Sequence, residues 1–265
     1  MAHPITEALG LGDQGVASLV GGGGKTTLMF RLANELVDMG RCVLTTTTTK
    51  LFRPEPSQSM HVVAGDEPDR LRRRLDTLLA SGCRHITAVK GYGGGPDKLV
   101  GLATDDLTRV IRPGGFDWVL VEADGAKRRP LKAPAEFEPV IAPETTLVVA
   151  VVGLEAVGRP MAAPWVFRCQ HYARLTGLKP GAPVSAESVA LVLTHPGGMT
   201  KGAPDSARRC VFLNKADTPR RLAVGRRLAD LLLAAPGGPE RVVVGALRDA
   251  DAVRWIGQRP SDADA

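Results

Sequence analysis

The chain has 265 residues, enough for one large α/β domain or two small ones. Apolar residues make up 44% of it and aromatic residues only 4%, so leucine, valine and alanine must fill the core. Lysine and arginine outnumber aspartate and glutamate by 34 to 28, which gives a net charge of +6. This modest excess suits a phosphate-bearing ligand. Basic and aromatic residues do not interleave, so we expect no nucleic-acid partner.

Several patterns are absent from the sequence. No basic segment followed by an apolar core stands near residue 1, so we expect no signal peptide. No run of 18 apolar residues occurs, so we expect no membrane span. The four cysteines lie far apart and form no C-x-x-C pair, which argues against structural zinc and a disulfide framework. These observations favour a cytoplasmic protein.

The first predicted unit is a strand, a glycine loop and a helix. An apolar run over residues 16–20 predicts the strand, and apolar residues at helical spacing over 28–37 predict the helix. Between them lie residues that we expect to bind a nucleotide: Gly21, Gly22, Gly23, Gly24, Lys25, Thr26 and Thr27. Glycines let backbone N–H groups turn toward one anion, and the helix N-terminus adds partial positive charge.

Two side chains of this loop have predicted roles. Lys25 is expected to reach the β- and γ-phosphates as a catalytic residue, and Thr26 is expected to ligate Mg²⁺. The match to G-x-x-x-x-G-K-[ST] is imperfect, because Leu19 stands where the first glycine belongs. A flexible glycine turn between a strand and a helix is the alternative interpretation.

A second strand, predicted over residues 42–46, runs into five consecutive threonines at 45–49. Since β-branched residues suit strands, the run has a simple structural explanation. It also lies at the carboxyl end of a strand, which is the ligand side of an open α/β sheet. A hydroxyl there can contact Mg²⁺ or a γ-phosphate. We take Thr48 as the candidate metal ligand, although the sequence does not separate it from Thr47 and Thr49.

A third apolar run, over residues 86–90, ends in a second glycine-rich segment at 91–101. Such a segment at the end of a strand is typical of a loop that binds substrate. A mobile surface turn explains the same composition equally well. We therefore leave both interpretations open for residues 91–101.

An apolar strand predicted over residues 116–121 ends in Glu122, Ala123 and Asp124. An acid at this position is typical of a Walker B element, which holds Mg²⁺ and orients the attacking group. Strand alternation places both carboxylates on one face. We assign Asp124 to the metal and Glu122 to the positioning of water, both as catalytic residues. An ordinary acidic turn is the alternative.

Four cationic residues lie shortly after Asp124 in the sequence: Lys127, Arg128, Arg129 and Lys132. Beside a phosphate site they could neutralise transition-state charge or contact a phosphorylated substrate. Lys127 is the candidate catalytic residue among them. A basic turn on the surface is the alternative.

Near the end of the chain, an apolar strand at residues 210–213 runs into Asn214, Lys215 and Asp217. The N-K-x-D pattern is the guanine-reading motif of GTPases, because an aspartate can accept from both N1–H and N2–H₂ of guanine. After a helix and a strand comes Ala246, whose backbone N–H is expected to read guanine O6. The competing interpretation is a polar turn in which Asp217 or Thr218 caps the helix.

Strands that alternate with helices predict a three-layer α/β domain with a mostly parallel sheet. We expect one P-loop NTPase-like domain over 1–265, with its core at about 15–250. Segments 23–29, 46–52, 121–134, 201–204 and 213–217 together resemble the YqeC family. The run E-A-D-G-A-K at 122–127 is the most specific part of that resemblance.

The family is described as selenium-dependent hydroxylase accessory, or selenium cofactor biosynthesis, proteins. The resemblance thus implies a partner such as a selenium-dependent molybdenum hydroxylase or a protein that handles the molybdenum cofactor. With the motifs above it implies Mg²⁺ and GTP, rather than ATP, as cofactors. Two hypotheses follow: an enzyme that activates a small molecule by hydrolysis or phosphoryl transfer, and a GTP-dependent switch or chaperone that docks on a client protein.

Overall fold

A computed structural model describes residues 3–93, 95, 97–112 and 114–260. The strands are β1 (Gly15–Gly21), β2 (Val43–Thr47), β3 (Lys50–Phe52), β4 (His61–Ala64), β5 (His85–Val89), β6 (Gly91–Tyr92), β7 (Lys98–Val100), β8 (Trp118–Glu122), β9 (Leu131–Lys132), β10 (Leu147–Gly153), β11 (Val166–Phe167), β12 (Arg208–Asn214), β13 (Arg241–Gly245) and β14 (Val253–Gln258). The α-helices are α1 (Ile5–Ala8), α2 (Lys25–Asp38), α3 (Pro68–Ala80), α4 (Thr104–Ile111), α5 (Cys169–Thr176), α6 (Ala186–Thr194) and α7 (Pro219–Ala234).

One sheet of nine strands runs through the molecule in the order β14-β13-β12-β10-β1-β8-β2-β5-β4. Its strand pairs are parallel except for β14, which runs antiparallel to β13 at the edge. β10 is buried along its whole length, as a parallel strand covered on both faces must be. The predicted fold class, a three-layer α/β fold with a mostly parallel sheet, is confirmed.

Helices cover both faces of this sheet, and alternate residues of each strand face opposite layers. Val149 and Val151 of β10 pack in the cluster that contains α1 and α2. Val148 and Ala150 point the other way, into the cluster that contains α6 and α7. A third cluster joins α3 and α4 to the far half of the sheet. None of the helices within the described residues is both long enough and apolar enough to cross a membrane.

The structure differs from the sequence predictions in short elements. The sequence pattern of residues 165–175 predicts one helix. Instead, Val166–Phe167 form a strand paired with β9, and the helix begins only at Cys169. Arg168 lies between them in the left-handed region, with φ 61°, which ends the strand and starts the helix. The sequence patterns also did not indicate α4 or β14, which are short or only half-buried.

The second glycine-rich segment forms part of a small sheet rather than a free loop. β7 pairs antiparallel with both β3 and β6, so this segment lies against the residues that follow β2. Residues 94 and 96 of the segment lie outside the described residues.

The topology fixes where a ligand can lie. After β1 the chain passes to β2 on one side of the sheet, and after β8 it crosses to β10 on the other side of β1. Parallel sheets bind ligands at the carboxyl edge, at such a switch point. The carboxyl ends of β1, β2, β8, β12 and β13, which carry the predicted motifs, all lie at this edge.

Candidate functional site: a cleft at the carboxyl edge of the sheet

A cleft of about 1190 Å³ opens along this edge. It brings together most of the predicted site residues, namely Gly23, Gly24, Lys25, Thr26, Thr27, Glu122, Lys127, Asn214, Lys215, Asp217 and Ala246. Four other predicted residues do not line it: Gly21, Gly22, Thr48 and Asp124. Residues that are more than 200 positions apart in the chain, such as Gly23 and Ala246, therefore meet at one cavity.

The glycines of the loop are required by close packing. A Cβ on Gly23 would lie 2.3 Å from the backbone nitrogen of Gly153, and one on Gly24 would lie 2.3 Å from the side-chain nitrogen of Asn214. Both glycines also have positive φ, at 78° and 141°. Only glycine fits both demands. The loop is therefore held against β10 and β12, and is not a free turn.

The N–H groups of the first three glycines are already bonded within the protein. That of Gly21 donates to the Asp124 carboxylate at 3.0–3.1 Å. Those of Gly22 and Gly23 donate to the carbonyl oxygens of Val151 and Arg129, at 2.8 and 3.0 Å. The prediction that all four glycines face an anion therefore needs correction. The available N–H groups are those of residues 24–27, which start α2 and have no acceptor within the helix.

Lys25 is almost wholly buried beneath the loop. Its Nζ donates to the Gly21 carbonyl oxygen at 2.7 Å and lies 3.1 Å from Asp124 and 3.7 Å from Glu122. Burial lowers the pKa of the Lys25 ammonium, but the charges of Asp124 and Glu122 outweigh burial and hold that pKa above its usual value. The Lys25 side chain is therefore charged at neutral pH, at the start of α2.

Asp124, expected to bind metal, is turned away from the cleft and 1% exposed. Its carboxylate accepts from Gly21 N–H and lies between Lys25 and Lys132, 2.9 Å from the latter. Lys132 also pairs with Glu138 at 2.6 Å, and Glu138 pairs with Arg168. Burial raises the pKa of Glu138, but Arg168 and Lys132 outweigh it and hold that pKa low. Asp124 thus belongs to a buried chain of alternating charges.

Glu122 is the acid of this pair that faces the cleft. Its carboxylate accepts a hydrogen bond of 2.6 Å from the Thr26 hydroxyl. Burial raises the pKa of the Glu122 carboxyl, and the Lys25 ammonium and the Thr26 hydroxyl offset this only in part. Hydroxyl and carboxylate oxygens such as these are ligands that Mg²⁺ prefers.

The threonine run contributes a different residue from the one expected. The hydroxyl of Thr48 donates to the Val140 carbonyl oxygen at 3.1 Å, away from the cleft lining. Thr47 bonds the Glu122 carbonyl oxygen at 2.8 Å, and Thr49 is the member of the run that lines the cleft. Side-chain alternation in a strand that ends at Thr47 could not predict this, because the backbone turns into β3.

Asn214 ties two motifs together. Its side-chain nitrogen donates to the Gly23 carbonyl oxygen at 2.7 Å, and its side-chain oxygen accepts from the Leu247 N–H at 3.0 Å. The neighbouring Lys215, with φ 66°, pairs with Glu155. Sequence patterns gave no signal for Glu155, which lies in a turn after β10.

The end of the N-K-x-D motif separates the two interpretations of Asp217. Thr218 caps α7 by accepting from the Arg221 N–H at 3.3 Å. The Asp217 carboxylate lines the cleft and pairs with the Arg221 guanidinium at 2.6 Å. The N–H of Ala246 donates to the Ala252 carbonyl oxygen at 2.7 Å, so in this structure it is not open to a guanine O6 as predicted.

Comparison with known proteins places the chain in a family. A family model described as YqeC protein matches residues 17–170. Over 200 residues, which make up 76% of this chain and 75% of the relative, the sequence is 35% identical to YqeC of Escherichia coli strain K12. The chain belongs to the YqeC family. The resemblance found in the motifs is thus confirmed, while the relative's name, an uncharacterized protein, states no activity.

Two solved structures align with this YqeC-family chain at low identity and low TM-score. FtsY from Mycoplasma mycoides aligns over 91% of this chain and 63% of its own, with a TM-score of 0.40 and 14% identity. Chloroplast FtsY from Physcomitrella patens aligns over 97% and 65%, with a TM-score of 0.39 and 16% identity. The YqeC-family chain spans just under two thirds of the length of these two proteins.

Backbone strain in this YqeC-family chain is concentrated at the cleft. Among the described residues, the non-glycine residues with positive φ are Lys127, Arg128, Arg168 and Lys215. All four are cations and all four line the cleft. Such conformations persist where surrounding structure fixes them, and they cluster at ligand sites. The strain therefore marks the same surface as the sequence motifs do.

Proposed function

We propose that this chain is a Mg²⁺-dependent P-loop NTPase with a preference for GTP. One observation carries the proposal: a single cleft is lined by the start of α2, by Glu122 and by the N-K-x-D residues. The free N–H groups of residues 24–27 and the buried Lys25 suit the phosphates. Asp217 then lies on the side of the cleft formed after β12 and β13, where the base would bind.

The donor set fits a magnesium ion, with a change of residue from the sequence prediction. Thr26 and Glu122 would hold it, because they are in contact and face the cleft, whereas Asp124 is saturated with donors. Bound Mg²⁺ would supply charge neutralisation for the transferring phosphoryl group. Lys25 stays protonated for the terminal phosphates, and Lys127 is exposed and available to neutralise transition-state charge.

Guanine selection would depend on the Asp217 carboxylate. The helix cap is supplied by Thr218, so Asp217 has no capping role to explain its presence. Guanine offers two donors to a carboxylate, whereas adenine offers an acceptor at N1 and no N2 amine. Since Arg221 already pairs with Asp217, guanine would have to share or displace that contact. Ala246 can contribute an N–H only if its bond to Ala252 opens.

We place this activity in the maturation of selenium-dependent molybdenum hydroxylases or of their selenium or molybdenum cofactor, a role that rests on the description of the family. As an enzyme, the protein would couple nucleotide turnover to a small molecule. The alternative is a GTP-dependent switch or chaperone that docks on a client hydroxylase or a cofactor-inserting enzyme.

GTP consumption by the purified protein tests the proposal. We expect Mg²⁺-dependent turnover that Lys25→Ala abolishes, while circular dichroism stays unchanged because Lys132 still pairs with Asp124. Unchanged nucleotide affinity in that variant would mean that the glycine loop connects β1 to α2 but does not bind the nucleotide. Adding selenide without a protein partner should raise turnover if the chain is an enzyme. A requirement for added molybdenum hydroxylase would instead favour the switch.

A further inference from the structure

A second group of cations lines the cleft on the side away from the N-K-x-D motif. We call Phe52, Lys98, Lys127, Arg128 and Phe167 the cation–aromatic wing. Phe52 lies in β3, after β2, and the two basic residues at 127 and 128 follow β8. β8 and β2 lie on one side of β1, whereas β12 and β13 lie on the other. The wing is thus separate from the predicted base site.

Aromatic rings hold the cations of the wing in position. The Arg128 guanidinium lies 4.4 Å and the Lys98 ammonium 5.4 Å from the centre of the Phe52 ring. The Lys127 ammonium lies 5.5 Å from the centre of the Phe167 ring. A ring face attracts a cation without neutralising its charge. The positive charge of the wing therefore remains available.

Carboxylates pair with several cations of the cleft that lie outside the wing. Lys25, Lys215 and Arg221 each pair with an acid in the cleft. In the part of the chain that the structure describes, no carboxylate forms a salt bridge with the three cations of the wing. Glu138, which also lines the cleft, is already shared by Lys132 and Arg168. The wing is an uncompensated positive surface.

The basic run after β8 divides into two kinds of residue. Arg129 donates to the carbonyl oxygens of Ala163 and Lys127, and Lys132 is buried in ion pairs, so both serve structure. Lys127 and Arg128 are exposed and have left-handed backbones, with φ 46° and 60°. Strained, exposed cations beside a phosphate loop are a mark of ligand contact.

The size of the cleft leaves room for another molecule. Its volume of about 1190 Å³ exceeds the roughly 300–1,000 Å³ of a pocket for one small ligand. A nucleotide that reaches from residues 24–27 to Asp217 covers the half of the cleft between β1 and β13. We propose that the cation–aromatic wing binds a second, phosphate-bearing substrate beside the terminal phosphate of the nucleotide. The inference rests on the proposed function, because it takes the other half as the nucleotide site.

Inorganic pyrophosphate is the probe that tests the wing. It is titrated calorimetrically into protein saturated with Mg²⁺ and a non-hydrolysable GTP analogue, so that the phosphate loop is filled. The variant is Lys98→Gln combined with Arg128→Asn, since asparagine tolerates the left-handed backbone. Arg70→Gln, an exposed cation on α3, is the matched control. We expect pyrophosphate to bind the wild type and the control, and at least tenfold more weakly to the double variant, with unchanged affinity for the analogue.

Absence of pyrophosphate binding to the loaded wild type, or equal binding by the double variant, overturns the proposal. If the double variant does not fold, Lys98→Gln alone must show the same direction. Two analogue molecules per chain, falling to one in the variant, would support the wing and identify its substrate as a nucleotide.

Failure of the nucleotide site is separable from failure of the wing. If the analogue does not bind, pyrophosphate is titrated into Lys25→Ala, with and without the two substitutions in the wing. Binding that disappears with those substitutions supports the wing although the proposed function has failed. If pyrophosphate does not bind Lys25→Ala, or if it still binds after the two substitutions in the wing, the proposal for the wing is overturned as well.

Discussion

Glu122 and Asp124 lie two residues apart and have opposite surroundings. Asp124 is enclosed by Gly21, Lys25 and Lys132, whereas Glu122 meets the Thr26 hydroxyl at the cleft. A buried carboxylate that already has several donors contributes to folding, because removing it takes away the partner that two buried cations share. A carboxylate at the cleft with a raised pKa is suited to chemistry. The surroundings of the two carboxylates therefore favour a structural role for Asp124 and a chemical role for Glu122.

This contrast gives the first prediction. Glu122→Gln should lower the Mg²⁺-dependent turnover of GTP at least about tenfold while the free energy of unfolding changes little. Asp124→Asn should lower the free energy of unfolding by about 3–5 kcal/mol, because Lys25 and Lys132 lose their shared partner. Urea unfolding and turnover against Mg²⁺ concentration measure both effects. A stable Asp124→Asn protein with altered Mg²⁺ dependence would restore Asp124 as the metal ligand.

A second prediction concerns His85, whose ring lies 3.1 Å from the Thr45 hydroxyl. Burial, with a smaller effect of His61, lowers its pKa from 6.5 to about 4. Above pH 6.5 both folded and unfolded forms are neutral, so the group has no effect. As the pH falls from 6.5 to 4, only the unfolded chain takes up the proton, and the free energy of unfolding should fall by at most about 3 kcal/mol.

The measurement for His85 is urea unfolding between pH 7 and pH 4, with His85→Gln as the comparison. Glutamine can still bond Thr45 but does not titrate, so this part of the pH dependence should disappear in the variant. Identical pH dependence in both proteins would show that the pKa of His85 is the same in the folded and unfolded states.

At the scale of elements, the cleft depends on contacts between loops that follow different strands. Asn214, at the end of β12, bonds both the glycine loop after β1 and the loop after β13. The close approach of Asn214 to Gly24 leaves no space for a side chain there. The glycine-loop side and the N-K-x-D side of the cleft are thus joined by one amide.

We therefore expect Asn214→Ala to lower the free energy of unfolding by about 1–3 kcal/mol, since the buried Leu247 N–H loses its acceptor. Hydrogen exchange at Leu247 and in the glycine loop should speed up together. Thr218→Ala, which removes the cap of α7, is the control and should leave the exchange of the glycine loop unchanged. Slow exchange in both loops of Asn214→Ala would mean that the loops hold each other without the amide.

At the scale of the whole molecule, a nucleotide would bridge loops from strands spread across the sheet. Ligand that binds only the folded state raises the free energy of unfolding by about 2.7 kcal/mol at a concentration of 100 Kd. GTP should therefore raise the Tm of the entire protein. ATP should raise it less at equal concentration, because Asp217 is left without its two donors.

The last prediction concerns Asp217→Asn, which should erase most of the difference between GTP and ATP and shift preference toward XTP, whose C2 oxygen needs a donor. Thermal unfolding with the three nucleotides measures this in both proteins. Because Thr218 supplies the cap of α7, the substitution should leave the Tm without ligand nearly unchanged. If GTP and ATP shift the Tm of the wild type equally, the protein does not select guanine.

Local patterns in the sequence determined the main layers of this protein. Continuous apolar runs predicted β1, β8 and β12, because strands of a parallel sheet are buried on both faces. Glycines before a lysine at the start of a helix predicted the loop between β1 and α2, since both features act over a few residues. The family, too, was evident from motifs alone, and comparison confirmed it.

Tertiary structure decided which side chain of each motif faces the cleft. Glu122 and Asp124 share one strand end and one periodicity, but only packing against Lys132, eight residues beyond Asp124, buries Asp124. Thr49 replaces Thr48 at the cleft because the chain turns into β3, whose partner β7 lies almost 50 residues further on. In the cation–aromatic wing, the Arg128 guanidinium likewise contacts the ring of Phe52, a residue distant in the sequence. Contacts between distant segments leave no periodic pattern in a single sequence. The sequence therefore predicts which motifs lie at the carboxyl edge of the sheet, and the tertiary structure determines which of their side chains line the cleft.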